Sequence, residues 1–487
     1  MGQDAGGARR LCEGGQRLHR RYPRLAADGL GARRRGRAGP RPGAAEEAGR
    51  RLPGAGRAAA QVPEGGPSGR QPGGDRQAAG EVRLGAARAI PEPDLRRTVG
   101  EVLDRRLLRD TPRPIAVALS GGGDSLALLL AAADWAAAVR RPLLVLTVDH
   151  GLRPESAHWT ATCATTAARL GAAFQALAWT GDKPASGLPA AARGARHALL
   201  ADAAREAGAR VILMGHTADD MLEAGRMRAE GSTTPTPREW SPSPAWPQGR
   251  GLFLLRPLLG TRRAEIRAWL TGRGEAWIDD PANEDMAYAR ARARRDLPAA
   301  APPAAAEPAS AKALAEACQA DATGGLAISR AALAAADDAA RLRFLSAVCL
   351  CAAGTSHPPA RARVKALARR IADGEGFTAS LAGARVEADE SEVRFRREAG
   401  EAARGGLSPL RLAAGERAVW DGRFEVVADR ETEVRAAVVD EDLPPAFRGL
   451  PSRVRRTLPT ADVPLRMEAL AYPRLLAACG AIAREPA

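Results

Sequence analysis

The chain has 487 residues, of which 45% are hydrophobic, so it is long enough for two or three domains with their own cores. No apolar run approaches the roughly 18 residues of a membrane span, and the arginine-rich beginning lacks the apolar segment of a secretory signal. The six cysteines have neither the spacing of a disulfide framework nor a CxxC pair. These features exclude membrane-spanning and disulfide-rich classes, and we expect a cytoplasmic protein with reduced thiols and no membrane partner.

The positive charge is concentrated at the beginning of the chain. Of the net charge of +15, residues 1–90 contribute +10, from eighteen arginines, no lysine and eight acidic residues. This stretch is rich in glycine and poor in large apolar residues, so we predict that it is disordered. The whole chain has only three lysines, Lys183, Lys312 and Lys365, which indicates a GC-rich coding sequence. We therefore expect much of residues 1–90 to come from a misplaced start.

Short apolar strands alternate with helices from residue 91 onwards. Helical spacing of apolar residues predicts a first helix around residues 95–107. The pattern then predicts strands over 114–120, 142–150, 172–179 and 209–216, and helices over 124–139, 155–170, 189–207 and from about 218. This alternation predicts a doubly wound parallel sheet of the α/β class, with helices on both faces. Such sheets bind ligands at the carboxyl ends of their strands.

The later part of the chain changes character twice. Residues 231–251 contain five prolines, which indicate a loop, and two tryptophans, which indicate that the loop packs onto something. We predict that the α/β domain covers residues 91–298. An alanine-rich helical domain is predicted over 299–376, and a small α+β domain over 377–487.

A glycine-rich turn, SGGGDS, lies between the first predicted strand of the sheet and the helix that follows it. Such a turn presents backbone N–H groups and the positive end of the helix dipole to an anion. The lysine of a Walker A loop is missing, so the turn is a different phosphate-binding device. The predicted phosphate-binding residues are Ser120, Gly121, Gly122, Gly123, Asp124 and Ser125.

Polar residues also follow two other strands of the predicted sheet. Asp149 and His150 follow the second strand, and His216 follows the last. Asp219, Asp220 and Glu223 come next and share much of one helical face, where like charges are costly unless a cation or an amine is present. Oxygen ligands suit Mg²⁺, so Asp124 is the first candidate ligand and Asp219 or Asp220 the next, and no Cys or His has the spacing of a zinc site.

The glycine-rich turn resembles the SGGxDS loop of the N-type PP-loop ATP pyrophosphatases, which cleave ATP to AMP and pyrophosphate. Five further segments, in the same order, are similar to segments of the tRNA(Ile)-lysidine synthetase family. They are LTVDHGLRPES (146–156), AARGARHALL (191–200), MGHTADDMLE (214–223), LLRPLLGTRRAEIRAWL (254–270) and IDDPANEDMAYARARAR (278–294).

This resemblance implies a reaction in two steps. The C2 carbonyl oxygen of the wobble cytidine of tRNA(Ile) with a CAU anticodon attacks the α-phosphate of ATP and becomes adenylated, with Mg²⁺ present. The amine of free lysine then displaces AMP at C2 to give lysidine. The resemblance implies Asp124, Asp219, Asp220 and Glu223 as catalytic residues, without saying which is the general base. It adds Asp149, His150 and His216 to the ATP-binding residues, and Arg193, Arg256, Asp280, Asn283 and Arg290 as substrate or tRNA contacts.

Two other functions stay open at this point. A PP-loop enzyme that thiolates a tRNA pyrimidine generally relies on cysteines, and here only Cys163 and the CxC pair of Cys349 and Cys351 are candidates. A non-catalytic protein could hold a nucleotide and RNA through the same turn. The C-terminal domain, which contains the basic segment SRVRRTLP (452–459), is expected either to contact tRNA or to be an accessory domain.

Overall fold

The computed structural model of the protein describes residues 94–232, 234–280, 292–294, 311–438, 447 and 449–487. The predictions for residues 1–90, for Asn283 and for Arg290 lie outside these ranges. The described residues belong to one compact unit, residues 86–487. None of the helices in these ranges is long and apolar enough to cross a membrane.

A six-stranded sheet forms the first layer of the structure. Its strands are β1 (Ile115–Ala118), β2 (Leu143–Asp149), β3 (Ala173–Ala178), β4 (Val211–Leu213), β5 (Trp240–Pro242) and β6 (Phe253–Leu255). They are arranged in the order β3-β2-β1-β4-β6-β5, parallel throughout except that β5 runs antiparallel to β6. The predicted doubly wound sheet is confirmed. From β1 the following strands are added first on one side, as β2 and β3, and then on the other, as β4, so the switch point where such sheets bind ligands lies between β1 and β4.

Several helices of the described ranges accompany this sheet. They are α1 (Leu95–Arg106), α2 (Gly123–Ala138), α3 (Ser156–Arg169), α4 (Leu188–Glu206), α5 (Ala218–Ala229) and α6 (Arg263–Gly272). Helix α2 is apolar on nearly all sides because it packs against both α1 and α6. The apolar residues that predicted α1 are all buried, from Leu95 to Leu107. The carboxyl end of β1 is therefore rigidly joined to α2 through the glycine-rich turn.

A second core combines helices with an antiparallel sheet. The helices are α7 (Lys312–Ala317), α8 (Arg330–Ala335), α9 (Asp338–Ala353) and α10 (Arg361–Ala372). The strands β7 (Gln319–Ala320), β8 (Leu326–Ser329), β9 (Phe377–Leu381), β10 (Ala384–Ala388) and β11 (Glu392–Arg397) pair in the order β7-β8-β11-β10-β9. Residues on both sides of the predicted boundary at 376/377 share this core, for example Phe344 and Phe395. The domain boundaries stay predictions.

The last part of the chain forms two three-stranded sheets. One consists of β12 (Leu410–Leu412), β15 (Thr432–Ala436) and β16 (Pro459–Thr460), and the other of β13 (Ala418–Trp420), β14 (Phe424–Ala428) and β17 (Leu465–Ala469). Trp420 and Phe424 are fully buried in their shared core. Two helices, α11 (Ser452–Arg455) and α12 (Ala471–Cys479), follow β15 and β17, and α12 packs into the second core.

The proline-rich stretch 231–251 packs against the first sheet and against the last part of the chain, as its tryptophans indicated. Trp240 stacks on Phe253 at 4.7 Å, and its Nε1 donates to the carbonyl of Ile482. Trp246 donates to the carbonyl of Gly422. The sequence pattern did not predict β5, because a three-residue edge strand that ends in proline has no periodicity of its own.

Candidate functional site

A cavity of about 670 Å³ opens at the carboxyl ends of β1, β2 and β4. Its floor is apolar, with Ala118, Leu146, Val148 and Met214, and its walls are charged. The predicted residues that line it are Ser120, Gly122, Gly123, Asp124, Ser125, His216, Asp219, Asp220 and Asp280. The lining does not include Gly121, Asp149, His150, Arg193, Arg256 or Glu223.

The glycine-rich turn is held in shape by its two serines. The Ser125 hydroxyl donates to the Gly122 carbonyl at 2.9 Å, and it accepts from the Ser120 backbone N–H at 3.2 Å. Gly121 has φ of +82°, a conformation that side-chain-bearing residues rarely adopt. Helix α2 begins at Gly123, and no side chain accepts a hydrogen bond from its first backbone N–H groups. These N–H groups lie at the cavity. This is the arrangement of an anion site at a helix N-terminus.

The predicted carboxylates converge on arginines at the beginning of α6. The Arg263 guanidinium donates to Asp124 at 2.9 Å and to Glu223 at 3.3 Å, and lies 3.7 Å from Asp220. Arg294 donates to Glu223 at 2.8 Å. The like charges predicted to need a cation therefore have arginine partners. These arginines come from another segment, which the carboxylate spacing alone could not reveal.

Two of the carboxylates also hold local structure. Both oxygens of Asp219 accept hydrogen bonds, one from the backbone N–H of Arg263 at 2.7 Å and both from the Arg262 guanidinium. Asp220 accepts from the Thr217 backbone N–H at 2.7 Å and thereby caps α5. Asp219 thus joins α5 to α6, and Asp220 fixes the beginning of α5.

Burial and charge act in opposite directions on this cluster. Burial raises the pKa of Asp124, and the charge and hydrogen bond of Arg263 offset only part of that effect. Burial also works to lower the pKa of Arg263, but Asp124, Asp220 and Glu223 outweigh it, so the pKa rises overall. Arg263 is therefore a permanent positive charge among the carboxylates.

The carboxylates differ in how well they suit Mg²⁺. Among the described residues, no three or more His, Cys, Asp or Glu side chains are grouped as a protein-only metal site. Mg²⁺ usually keeps several waters and is bound by one or two carboxylates together with substrate phosphates. Asp124 fits this role, because it lines the cavity beside the glycine-rich turn and its side chain is 21% exposed. Asp219 fits less well, because both its oxygens are already engaged.

The two predicted histidines have different surroundings. His216 lines the cavity, and its Nδ1 accepts from Arg256 at 3.3 Å. Arg256 is itself buried, and burial lowers its pKa to about 10. His150 lies beyond the cavity lining and accepts through Nε2 from Arg196, a residue that does line the cavity. Burial is the main cause that lowers the pKa of His150 to about 4, so the ring is neutral at pH 7.

The other predicted contacts lie at the edges of the site. Asp280 lines the cavity and is 3.8 Å from Arg153, whereas Arg193 is exposed on α4. Asp149 accepts from the Gly151 backbone N–H at 2.7 Å and so stabilises its own turn. The site residues that the sequence did not single out are Arg196, Arg263 and Arg267, all of which line the cavity. Their only signal was their position inside segments similar to a known family.

A protein-family model described as a PP-loop domain matches residues 91–300. Over 332 residues, the chain is 52% identical to a tRNA(Ile)-lysidine synthase of Caulobacter vibrioides, which covers 68% of this chain and 78% of that relative. This chain belongs to the tRNA(Ile)-lysidine synthase family. Synthases of two other bacteria are also similar. The one from Hyphomonas neptunium is 44% identical over 228 residues, covering 46% of this chain and 56% of its own. The one from Rhizobium meliloti is 37% identical over 350 residues, covering 67% of this chain and 76% of its own.

Membership of the synthase family confirms the resemblance that the ordered segments indicated. The family model ends at residue 300, whereas the similarity to the Caulobacter vibrioides synthase extends over 332 residues.

Proposed function

We propose that this chain ligates lysine to C2 of the wobble cytidine of tRNA(Ile) with a CAU anticodon, and that ATP is cleaved to AMP and pyrophosphate. The observation that carries the proposal is the meeting of an uncapped glycine-rich turn with four acidic side chains at one end of the sheet. Membership of the synthase family supports the choice of substrates.

The first step needs a site for ATP. The apolar floor of Ala118, Leu146, Val148 and Met214 suits an adenine ring. The N–H groups at the beginning of α2 would bind the departing pyrophosphate, where positioned donors stabilise developing negative charge. Arg263 and Arg267 line the same cavity and would add positive charge near the phosphates.

Asp124 is the proposed ligand for Mg²⁺. When bound, the ion would neutralise charge on the phosphates and align the attack on the α-phosphate. Asp124 also pairs with Arg263, so it would position that arginine next to the same phosphates.

The second step needs a neutral lysine amine. Asp220 and Glu223 are buried, and each contacts Arg263. Carboxylates in this position would attract the charged amine and take up the proton that it must lose before it attacks C2. The C2–O bond then breaks and AMP leaves, and its departure restores the aromatic ring of the modified base.

No observation favours the alternative functions. Cys349 and Cys351 are fully buried in the second core, and burial raises the pKa of each thiol to about 12. A sulfur carrier needs an accessible thiolate.

The test is incorporation of labelled lysine into a tRNA(Ile) transcript with a CAU anticodon, using the full chain with ATP and Mg²⁺. A tRNA(Met) transcript with the same anticodon is the control substrate. Asp124→Asn is expected to abolish incorporation. Asp134 lies on the same helix as Asp124 and forms an exposed ion pair with Arg96 of α1, so Asp134→Asn should leave incorporation unchanged. Pyrophosphate release with tRNA but without lysine incorporation would refute the lysidine reaction and leave the ATP site intact.

A further inference from the structure

An aromatic and basic cluster lies beside the cavity, at the carboxyl ends of β2 and β3. We call it the rim cluster, and it consists of His150, Trp179, Lys183 and Arg196. The rings of His150 and Trp179 meet edge to face at 5.9 Å. The Lys183 ammonium lies 3.9 Å above the Trp179 ring, and the Arg196 guanidinium donates to His150 at 3.1 Å. Because Arg196 also lines the cavity, the rim cluster is continuous with the proposed ATP site.

His150 keeps one hydrogen-bonding atom unused. Its Nε2 accepts from Arg196, which can only donate, so the neutral ring must carry its proton on Nδ1. Nδ1 is buried and has no hydrogen-bond partner among the described residues. Buried donors without a hydrogen-bond partner are uncommon in native proteins. A bound ligand with an acceptor oxygen would satisfy it.

Lys183 is an unusual residue in this chain. It is one of three lysines among 72 basic residues, and the other two, Lys312 and Lys365, are exposed on helices far along the chain. Within the described ranges, Lys183 forms no ion pair, and its contacts are with the ring and the carbonyl oxygen of Trp179. A cation above an aromatic face, with no acidic partner, has a charge available for an anionic ligand.

The chemistry of the rim cluster fits a nucleotide of single-stranded RNA. Unstacked bases of RNA loops stack on aromatic side chains, and basic side chains bind the adjoining phosphates. ATP is a poorer candidate for this position, since the cavity lining contains none of His150, Trp179 and Lys183.

We propose that the rim cluster binds an anticodon-loop nucleotide next to the reacting cytidine, stacking its base on Trp179 and pairing its phosphate with Lys183. Lys183 then exchanges the ring face for the phosphate, and the Nδ1–H of His150 donates to the same nucleotide. This inference rests on the proposed function for the identity of the RNA. It also replaces the ATP contact that the sequence predicted for His150 with a contact to tRNA.

The scarcity of lysine provides a direct test. The full chain is treated with an amine-acetylating reagent, alone, with ATP and Mg²⁺, or with the anticodon stem-loop of tRNA(Ile), and acetylation of each lysine is measured by mass spectrometry. We expect the stem-loop to protect Lys183 and not Lys312 or Lys365, and ATP to leave all three reactive. Protection of Lys183 by ATP alone, or equal reactivity with and without RNA, would overturn the proposal.

A binding measurement covers the case in which Lys183 reacts too slowly to be followed. Lys183→Gln and Trp179→Leu are expected to weaken stem-loop binding about tenfold each, in line with the loss of one stacked base or one phosphate contact. Lys365→Gln is the matched control and should bind like the unchanged protein. Affinities equal to that of the control would refute the rim cluster as an RNA site. Both readouts use RNA binding alone, so they remain decisive even if no lysine is incorporated.

Discussion

The Arg263 guanidinium lies 2.9 Å from the Asp124 carboxylate, which joins the first residue of α6 to the first turn of α2. The two residues are 139 positions apart in the chain. The pair lies in the cavity wall, where Arg263 also reaches Glu223 and Asp220. The same arginine therefore contacts all three carboxylates and faces the proposed position of the ATP phosphates.

Replacing Arg263 by glutamine should change the pH dependence of pyrophosphate release. Burial already raises the pKa of Asp124, and Arg263 is the main group that lowers it. Without that positive charge the pKa rises further, so Asp124 is protonated at a higher pH. The acid limb of the rate profile should therefore move to higher pH, and the rate at neutral pH should fall about a hundredfold because a phosphate-facing charge is lost.

Two further variants make this prediction specific. Arg263→Lys keeps the charge and should leave the acid limb closer to its original position. Arg273→Gln removes an exposed arginine at the opposite end of α6, which lies over the Trp269 ring, and should not change the profile. If Arg263→Gln and Arg273→Gln gave the same acid limb, the pairing of Arg263 with Asp124 would have no role in the reaction.

Gly215 should not tolerate a side chain. A Cβ added there would lie 2.9 Å from the Cα and the backbone N of Ser125, closer than real Cβ contacts occur. The neighbouring atoms are backbone atoms at the beginning of α2, so the glycine-rich turn would have to shift. Gly215→Ala should lower the free energy of unfolding by about 1–3 kcal/mol and raise the KM for ATP. Urea denaturation and pyrophosphate-release kinetics measure the two effects.

Gly194→Ala is the matched control for Gly215. Gly194 lies within α4, and a Cβ added there meets no atom within 4 Å. This substitution should stabilise the protein by about 0.5–1 kcal/mol, since alanine favours a helix over glycine. A stable and active Gly215→Ala protein would show that the turn and the fourth strand are not closely packed.

The sequence predicted the local elements of the site but not the contacts between distant segments. The strand, the glycine-rich turn and the helix form a continuous local pattern, so their positions were predicted to within a few residues. The carboxylates were placed at the correct end of the sheet, because the parallel topology brings strand ends together. The partners of those carboxylates come from α6, and no local pattern specifies which arginine meets which acid.

His150 illustrates a second limit of the sequence. It follows a strand end as predicted, but position after a strand does not specify which way the side chain points. The structure places it beside Trp179 rather than in the cavity lining. The short antiparallel edge strand β5 was also missed, since its pairing depends on β6 and on packing of Trp240.

His197 should make the stability of the protein depend on pH. It is buried in α4, and burial, followed by the charges of Arg193 and Arg256, lowers its pKa from 6.5 to about 3. The folded protein therefore keeps His197 neutral, while the unfolded chain binds a proton below about pH 6.5. Its contribution to stability is complete above that pH and is lost as the pH falls towards 3. Between pH 6.5 and 5 the loss should be about 2 kcal/mol.

Denaturation by urea at pH 7.5 and pH 5 measures this effect. In His197→Leu the difference between the two pH values should be smaller by about that amount, because the buried titrating group is gone. His158→Gln removes an exposed histidine of α3 and should leave the difference unchanged. An unaltered pH dependence in His197→Leu would mean that another group causes the loss of stability in acid.

A buried ion pair between Arg141 and Glu485 should be essential for stability. Its atoms approach to 2.7 Å, and the two side chains are 1% and 0% exposed. Glu485 also accepts from the Leu108 backbone N–H, and its own N–H donates to the Arg106 carbonyl, so it ties residues near 485 to the end of α1. Glu485→Gln leaves the Arg141 charge buried without its counter-charge, and the free energy of unfolding should fall by about 3 kcal/mol or more.

The matched control is an exposed pair of the same kind. Arg466 and Asp429 lie 2.7 Å apart, but their side chains are 73% and 86% exposed. Asp429→Asn should therefore change the free energy of unfolding by less than about 1 kcal/mol. Replacing both buried partners, as Arg141→Met with Glu485→Leu, should recover much of the loss, because no charge is then left unpaired. If Glu485→Gln were as mild as Asp429→Asn, the pair would contribute to the position of this segment without holding the fold together.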